Sequence, residues 1–454
     1  MGLVFLILVG SGVWFFRQTA TTLFRNAAVN RRAEGEIRPT QPPLPQDPAI
    51  EVYFNHSQAS VYTDSYRQIQ RHGDDLERII ISAIDQANSS VDVAVQALEL
   101  PLIAKAIVQS AQRGIRVRLI VENEYAGDYM PSGEAGGYSS TPNAALALLR
   151  DAAIPLIDDT ADGSKGSGLM HHKFVVVDNR YVLTGSANFT YSGIHGDLAD
   201  LDSRGNANVL LKIDDAAIAS QFMAEFNQMW GDGPGNRPDS RFGLQKQIPA
   251  PQRTQLSTGA SAGSVTLQFS PSSTADPWQN STNGLIARSL SQSQKSIDLA
   301  LFVFSDQGIA NQLERQAAGG TQVRALIDRS FLYRSYSEAL DMLGVAIYDN
   351  RCKIESGNQP WATPLSTVGS PQLSPGDKLH HKFALIDNTT VIVGSHNWSQ
   401  SANAQNDETL LVIESATVAA HFSREFQRLY AIAKLGHTPS LQRKIQSAQQ
   451  RCRS

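Results

Sequence analysis

An α/β chain built as two related repeats is what the sequence predicts, and three observations lead there. Val-rich apolar runs of strand length alternate with amphipathic runs of helical spacing. The same order of runs occurs twice, about 200 residues apart. A chain of 454 residues also exceeds the range in which a single core keeps growing, so two domains of roughly 180 residues are expected.

In chain order, the run GLVFLILVGSGVWFF (residues 2–16) carries no charge and is followed by Arg17, Arg25, Arg31 and Arg32. Residues 1–32 are therefore expected to form a membrane anchor or a signal segment, with the protein membrane-associated through it. A full span needs roughly 20 apolar residues, which the run reaches only if QTATTLF joins it. A cleaved signal would want a basic start and a small-x-small site, and neither is clear. Residues 33–50 are expected to be a linker, since Arg38 to Pro48 hold five prolines in eleven residues, a composition that favours a stiff extended spacer.

The first repeat is expected over residues 51–232. DDLERIIISAIDQ has helical spacing, SVDVAVQAL reads as a buried strand, PLIAKAIVQSAQRG as a helix ending near a glycine, and IRVRLIVEN as the next strand. Such runs suggest parallel strands in βαβ units. Residues 233–264 are rich in Gly, Pro and Ser and read as a second linker. The second repeat, 265–433, restarts the series with NGLIARSLSQSQ, SIDLALFVF, QGIANQLERQAAGG and TQVRALID. Residues 434–454 form a tail with five Lys or Arg and no acid, suited to an anionic lipid surface, to nucleic acid, or simply to solvent.

Spacing makes the repeat quantitative. Asp92 matches Asp298 at an offset of 206, His171 matches His380 at 209, and AIASQFMAEFNQMW matches TVAAHFSREFQRLY at 200. Between Asn188 and Asn206 lie 18 positions, against 9 between Asn397 and Asn406, so the first repeat carries nine extra residues in a loop beside the motif.

The densest match is MHHKFVVVDNRYVLTGSANFT from position 170 against LHHKFALIDNTTVIVGSHNWS from position 379. On a strand, alternate residues share a face, so His171 lies with Lys173 and His380 with Lys382. His172 and His381 point the other way and read as structural. Asp178-Asn179 and Asp387-Asn388 fall between apolar runs, where tight turns form. Asp178 and Asp387 travel with the catalytic candidates by spacing, although bracing of the turn is the favoured role. Gly-Ser-x-Asn then sets Ser186 and Asn188, or Ser395 and Asn397, beside the His and Lys as candidate phosphate-binding groups. A neutral imidazole can attack and a protonated one can donate. An ammonium with hydroxyl and amide donors forms an oxyanion pocket. One His-x-Lys on a strand is commonly a surface pair; two copies with matched Asp, Gly, Ser and Asn suggest two halves of one phosphodiester site, one histidine to attack and one to protonate the leaving oxygen. Asp92 and Asp298, inside apolar strands, read as braces for a neighbouring loop.

His171-x-Lys173-x4-Asp178 with Gly185-Ser186-x-Asn188, and His380-x-Lys382-x4-Asp387 with Gly394-Ser395-x-Asn397, resemble the paired HxKxxxxD signatures of the phospholipase D superfamily. The resemblance covers residues 51–433. It implies an α/β/α sandwich in each repeat, pseudo-twofold packing with the active site at the interface, a phosphohistidine intermediate, and no metal or other cofactor. The superfamily's downstream acid is Glu408 in the second repeat, but the first has Asn208; Asp197, Asp200 or Asp202 of the inserted loop are candidate substitutes. A carboxylate favours the protonated form of an adjacent imidazole. If Glu408 contacts His380, His380 is the general acid and His171 the nucleophile.

Composition narrows the substrate only partly. With 41% hydrophobic residues, 18% charged residues and a net charge of −4, the chain lacks a surface made throughout for coating nucleic acid, while a local basic groove remains compatible. Cys352 and Cys452 are too few for a disulfide framework and lack metal-ligand spacing. The expected function is metal-independent hydrolysis or transfer of the phosphatidyl group of a phospholipid; the alternative is an endonuclease acting on DNA or RNA, and a non-catalytic scaffold is disfavoured by intact doubled motifs. Two motifs in one chain remove the need for a protein partner.

Overall fold

The computed structural model describes residues 37–127, 129–132, 137–160, 168–234, 239–256 and 263–453. In the first repeat these form β1 (Ile50–Phe54), α1 (Leu76–Asp85), β2 (Ser90–Val95), α2 (Pro101–Gln112), β3 (Arg116–Val121), α3 (Ala144–Asp151), β4 (Leu156–Asp158), β5 (Lys173–Val177), β6 (Tyr181–Gly185), β7 (Val209–Asp214) and α4 (Ala216–Trp230). The second repeat runs β8 (Gln252–Gln255), β9 (Ser264–Ser270), α5 (Thr282–Leu290), β10 (Ser296–Leu301), α6 (Gln307–Ala318), β11 (Gln322–Ile327), β12 (Val368–Pro371), β13 (Lys382–Ile386), β14 (Thr390–Gly394), β15 (Glu408–Glu414), α7 (Ala416–Ala431), β16 (Ala433–Leu435) and α8 (Pro439–Arg453).

The two sheets share one strand order. The first is β1-β7-β6-β5-β2-β3-β4; the second repeats it as β9-β15-β14-β13-β10-β11-β12 and adds β8 at one edge and β16 at the other. Only β2-β3-β4 and β10-β11-β12 run parallel, while β5, β6, β7 and β1 pair antiparallel, as do their counterparts. The expectation of parallel βαβ units thus holds for half of each sheet. The antiparallel half arises because β5 and β6 are joined by a tight turn, which reverses the chain without a crossover. Asp178 and Asn179 there have φ of 54° and 48°, and Asp387 and Asn388 have 52° and 56°. Two consecutive positive φ values define the hairpin turn that matches strand twist, and Asp and Asn tolerate it.

Three cores divide the interior. The outer face of each sheet packs under its own helices, α1 to α3 in the first repeat and α5 to α6 in the second. The inner faces of both sheets, with α4 and α7, share the third core, which includes Phe174, Phe222 and Phe226 from one half and Phe383, Phe422 and Phe426 from the other. Strands buried on both faces are what this layering requires, which is why they read as continuous apolar runs.

Residues 233–264, expected as a linker, include β8 and a buried Lys246 whose ammonium pairs with Glu225 of the first repeat and Asp407 of the second. The basic tail forms α8, with Leu441 and Ala448 buried. Cys352 and Cys452 form a disulfide that ties α8 to a loop 100 residues earlier. Membrane association through an N-terminal segment is corrected: among the described residues no helix is long and apolar enough to cross a membrane, and residues 1–32 lie outside them.

Candidate active site

The two motifs meet through the backbone. His171 donates its N–H to the Asp407 carbonyl at 3.0 Å, and Asp407 returns one to Leu169 at 2.9 Å. In the mirror position Ala207 donates to the Lys378 carbonyl at 2.8 Å and His380 to the Ala207 carbonyl at 3.1 Å. Asn406 and Asn206 cap these crossings by accepting from the N–H groups of Leu169 and Lys378. Each histidine is therefore delivered beside the other repeat's strand start, His171 at Glu408, the first residue of β15, and His380 at Asn208, just before β7.

That crossing decides the partners. His171 donates Nδ1–H to Glu408 Oε2 at 2.7 Å, whereas His380 donates Nδ1–H to Asn208 Oδ1 at 3.0 Å. Glu408 beside His380, the arrangement considered from sequence, is thus corrected, and with it the roles drawn from that contact: the carboxylate lies behind His171. The Asn208 amide is fixed in orientation because its Nδ2 donates to the Gly193 carbonyl at 2.8 Å and its Oδ1 accepts from Ser186 Oγ at 2.7 Å. An accepting oxygen at 3.0 Å in turn requires a proton on His380 Nδ1, so Nε2 of the neutral ring carries the lone pair. The inserted-loop aspartates do not replace the missing acid. Asp197 and Asp200 accept from backbone N–H groups of their own loop.

Ser186 and Ser395 act behind the histidines. Ser395 Oγ donates to Glu408 Oε2 at 2.6 Å and accepts from Thr409 N–H, and Ser186 makes the same pair of bonds with Asn208 and Val209. Both serines are fully buried, so their hydroxyls orient Glu408 and Asn208 and are spent before a phosphate arrives. The preceding glycines have a steric reason: a Cβ at Gly185 or Gly394 would collide with the Val209 or Thr409 carbonyl. Asn188 Nδ2 donates to Gln96 Oε1 at 3.1 Å, while Oδ1 of Asn188 and of Asn397 has no partner among the described residues.

Asp178 and Asp387, grouped with the catalytic set by spacing, are placed at the hairpin turns. Asp178 accepts from the N–H groups of Asn88, Ser89 and Ser90; Asp387 accepts from those of Gln294, Lys295 and Ser296. Burial pushes the Asp178 carboxyl up, and the donors outweigh it to hold the group at about 2. Their task is to brace the strand pair, not to touch the reacting atoms. His172 bonds Thr409 and Glu225 on the opposite face, and His381 bonds Glu425. Asp92 pairs with Arg116 and Arg118, and Asp298 with Arg324, so they tie neighbouring strands together instead of bracing a loop.

The lysines lie deep. Lys173 and Lys382 are each 1% exposed and donate to the carbonyls of His171 and His380 at 2.7 and 2.8 Å. Burial lowers Lys173 to about 7 against the pull of Glu408 and Glu122. Lys382 is lowered well below its ordinary value by burial and by the Lys173 ammonium. Both site histidines are lowered by burial and by the two lysines. Four groups whose protonated forms are disfavoured by burial and by one another thus cluster with the Glu408 carboxylate. An anion there restores the charges. Binding of a phosphodiester then takes up a proton wherever the pH exceeds about 7, the free Lys173 value. The KM of a soluble diester should accordingly rise with pH above that point, by up to about tenfold per unit; a KM flat across the alkaline range would rule this linkage out.

Four neighbours escaped the sequence reading. Gln96 and Phe302 follow β2 and β10 at the offset of 206 that pairs Asp92 with Asp298, and Glu122 and Asp328 follow β3 and β11 at the same offset. Extending that offset along the strands would have found them. Gln96 Oε1 accepts from Lys173 Nζ at 3.3 Å. The Phe302 ring instead lies 5.0 Å from Lys382 Nζ, 4.8 Å from the His380 ring and 4.7 Å from the Phe331 ring.

With this geometry in view, a family model described as "Cardiolipin synthase, PLD-like domain" matches residues 80–230 and 286–430, well over half of the chain. The chain belongs to the phospholipase D superfamily. Among its relatives are a mitochondrial cardiolipin hydrolase of Xenopus tropicalis, 30% identical over 35% of this chain and 63% of that protein, and its human namesake, 29% identical over 35% of this chain and 52% of that one. A phospholipase D of Rickettsia bellii (strain RML369-C) is 32% identical over 30% of this chain and 56% of its own. The chain thus spans half to under two thirds of the length of these curated relatives. The crystal structure of phosphatidylserine synthase from Haemophilus influenzae Rd KW20 shares the fold across 86% of this chain and 88% of its own, with a TM-score of 0.58 at 14% identity.

Proposed function

We propose that this superfamily member hydrolyses the phosphodiester of a phospholipid through a histidine-bound phosphatidyl intermediate. The observation that carries the reading is the unequal pair of histidines, one backed by Glu408 and the other by Asn208, above two buried lysines. Neutral His380 attacks phosphorus through Nε2. The bond from phosphorus to the headgroup oxygen breaks, and that oxygen takes the proton from His171 Nε2, whose protonated ring Glu408 stabilises. Water then attacks phosphorus and gives its proton to His171, the P–N bond breaks, and phosphatidate leaves with both rings restored. Lys173 and Lys382 balance the charge that grows on the non-bridging oxygens. An alcohol in place of water would give transfer. The relatives named cardiolipin hydrolase and phospholipase D support a phospholipid as substrate.

The test is an assay of the full chain, side by side on mixed phospholipid vesicles and on single- and double-stranded DNA, with EDTA present throughout. Among the described residues no group of three or more His, Cys, Asp or Glu is placed to hold a metal ion. The expected result is release of phosphatidate, undiminished by EDTA, and DNA left uncut. DNA cleavage without lipid turnover overturns the substrate, and activity restored from EDTA by a divalent ion overturns the mechanism.

A further inference from the structure

Resting on the function proposed above, we infer that the site accepts its substrate in one orientation, with the diacylglycerol side against Phe302 and Phe331 and the departing polar alcohol toward Gln96. The pseudo-twofold would allow either orientation; two differences between the halves remove that choice. Gln96 and Phe302 are equivalent by backbone as well as by offset, because Gln96 N–H donates to the His172 carbonyl at 3.0 Å and Phe302 N–H to the His381 carbonyl at 2.8 Å. Yet one presents an amide and the other a ring.

The consequences run through the lysines. Among the described residues Lys173 donates two hydrogen bonds, to the His171 carbonyl and to Gln96, and Gln96 also receives Asn188. Lys382 donates one, to the His380 carbonyl, and otherwise meets the face of Phe302. Phe302 and Phe331 are both half-buried and in edge contact, so an apolar wall leads away from His380 toward solvent. Lys378 lies 5.8 Å from the Phe302 ring centroid on the same wall. A wall of two rings with cations at its edge fits the chemistry of a glycerolipid, whose carbon skeleton begins a few bonds from an anionic phosphate. On the other side Glu122 and Asp159 continue from Gln96, held by backbone N–H groups of Glu124 and Asn123. These carboxylates are buried, so among the described residues this side meets the site with polar groups where the other presents two rings.

The second difference agrees with the first. A nucleophile must lie opposite the leaving group, so if His171 gives the proton, the alcohol departs on the Gln96 side and the phosphatidyl group stays bonded to His380, beside Phe302. Both asymmetries, chosen independently by the chain, select the same direction.

The experiment compares kcat/KM for a long-chain and a short-chain soluble phosphatidyl substrate sharing one headgroup. Phe302→Gln, which makes the halves alike, should lower the long-to-short ratio about tenfold, the worth of about two buried methylene groups, and chiefly through KM. Phe302→Leu keeps an apolar contact and should keep most of the ratio, which separates loss of the wall from loss of the fold. Gln96→Leu should leave the chain-length ratio alone and change the ranking of headgroups. A ratio unchanged in Phe302→Gln, or one that falls in Gln96→Leu instead, overturns the orientation while leaving lipid hydrolysis intact. No turnover of either lipid by the unaltered protein, with DNA cut, overturns the function and the orientation together.

Discussion

In a short incubation with a diester whose alcohol is a very good leaving group, the His171→Asn protein should accumulate a phosphoryl adduct on His380, and the His380→Asn protein should form none. A leaving group that needs no proton makes the general acid dispensable in the first step, whereas nothing replaces the attacking nitrogen. The adduct accumulates because the water of the second step has lost its base. Steady-state turnover of an ordinary phospholipid should fall in both variants by on the order of 10⁴-fold or more, as when one member of a catalytic set is removed. Acid-labile peptides mapped by mass spectrometry decide the matter. An adduct on His171 in the unaltered protein reverses the roles, and no adduct on either histidine removes the covalent path.

Glu408→Gln should lower kcat on the same phospholipid by about 10²-fold or more with little change in KM, since the carboxylate acts on the ring and not on bound substrate. The fall should be smaller for the diester with the good leaving group, because protonation no longer limits that reaction. Glu408 is enclosed by three donors, His171 Nδ1, Ser395 Oγ and Asn406 Nδ2, so the folded state of the variant must be checked by its melting curve. A loss of less than threefold on both substrates, in a protein that melts normally, would mean that His171 does not depend on the carboxylate. Asn208→Asp gives the converse: a charge behind His380 favours its protonated ring, and the alkaline shift of the optimum reports a nucleophile that must now lose a proton first.

Much of this protein was legible without coordinates. Strands such as SVDVAV and SIDLAL, and helices such as those from Leu76 and Gln307, obey local rules of periodicity that hold wherever the segment ends up. Internal repetition did the rest. Because HHKF and GS-x-N recur at matched spacing, the residues that share a strand face with His171 and His380 could be named from sequence, and so could the turn made by Asp178-Asn179.

What the tertiary structure decided is everything that depends on which chain segment lies across the interface. Glu408 stands 237 positions from His171 and 28 from His380, and proximity along the chain favoured the wrong partner. The pairing of residues 169–171 with Asp407, and of residues 207 with 378–380, swaps the supports between halves, and no local periodicity records a swap. The serines of Gly-Ser-x-Asn read as phosphate ligands because a hydroxyl near a lysine suits an anion; only packing shows that those hydroxyls already donate to Glu408 and Asn208. Sheet direction, the Cys352–Cys452 bond and the place of Phe302 opposite Gln96 belong to the same class. The physical reason is common to all of them: sequence pattern reports how each residue meets its near neighbours and whether it is buried, while the identity of a distant contact is set by the one arrangement of two sheets that buries all their apolar faces at once.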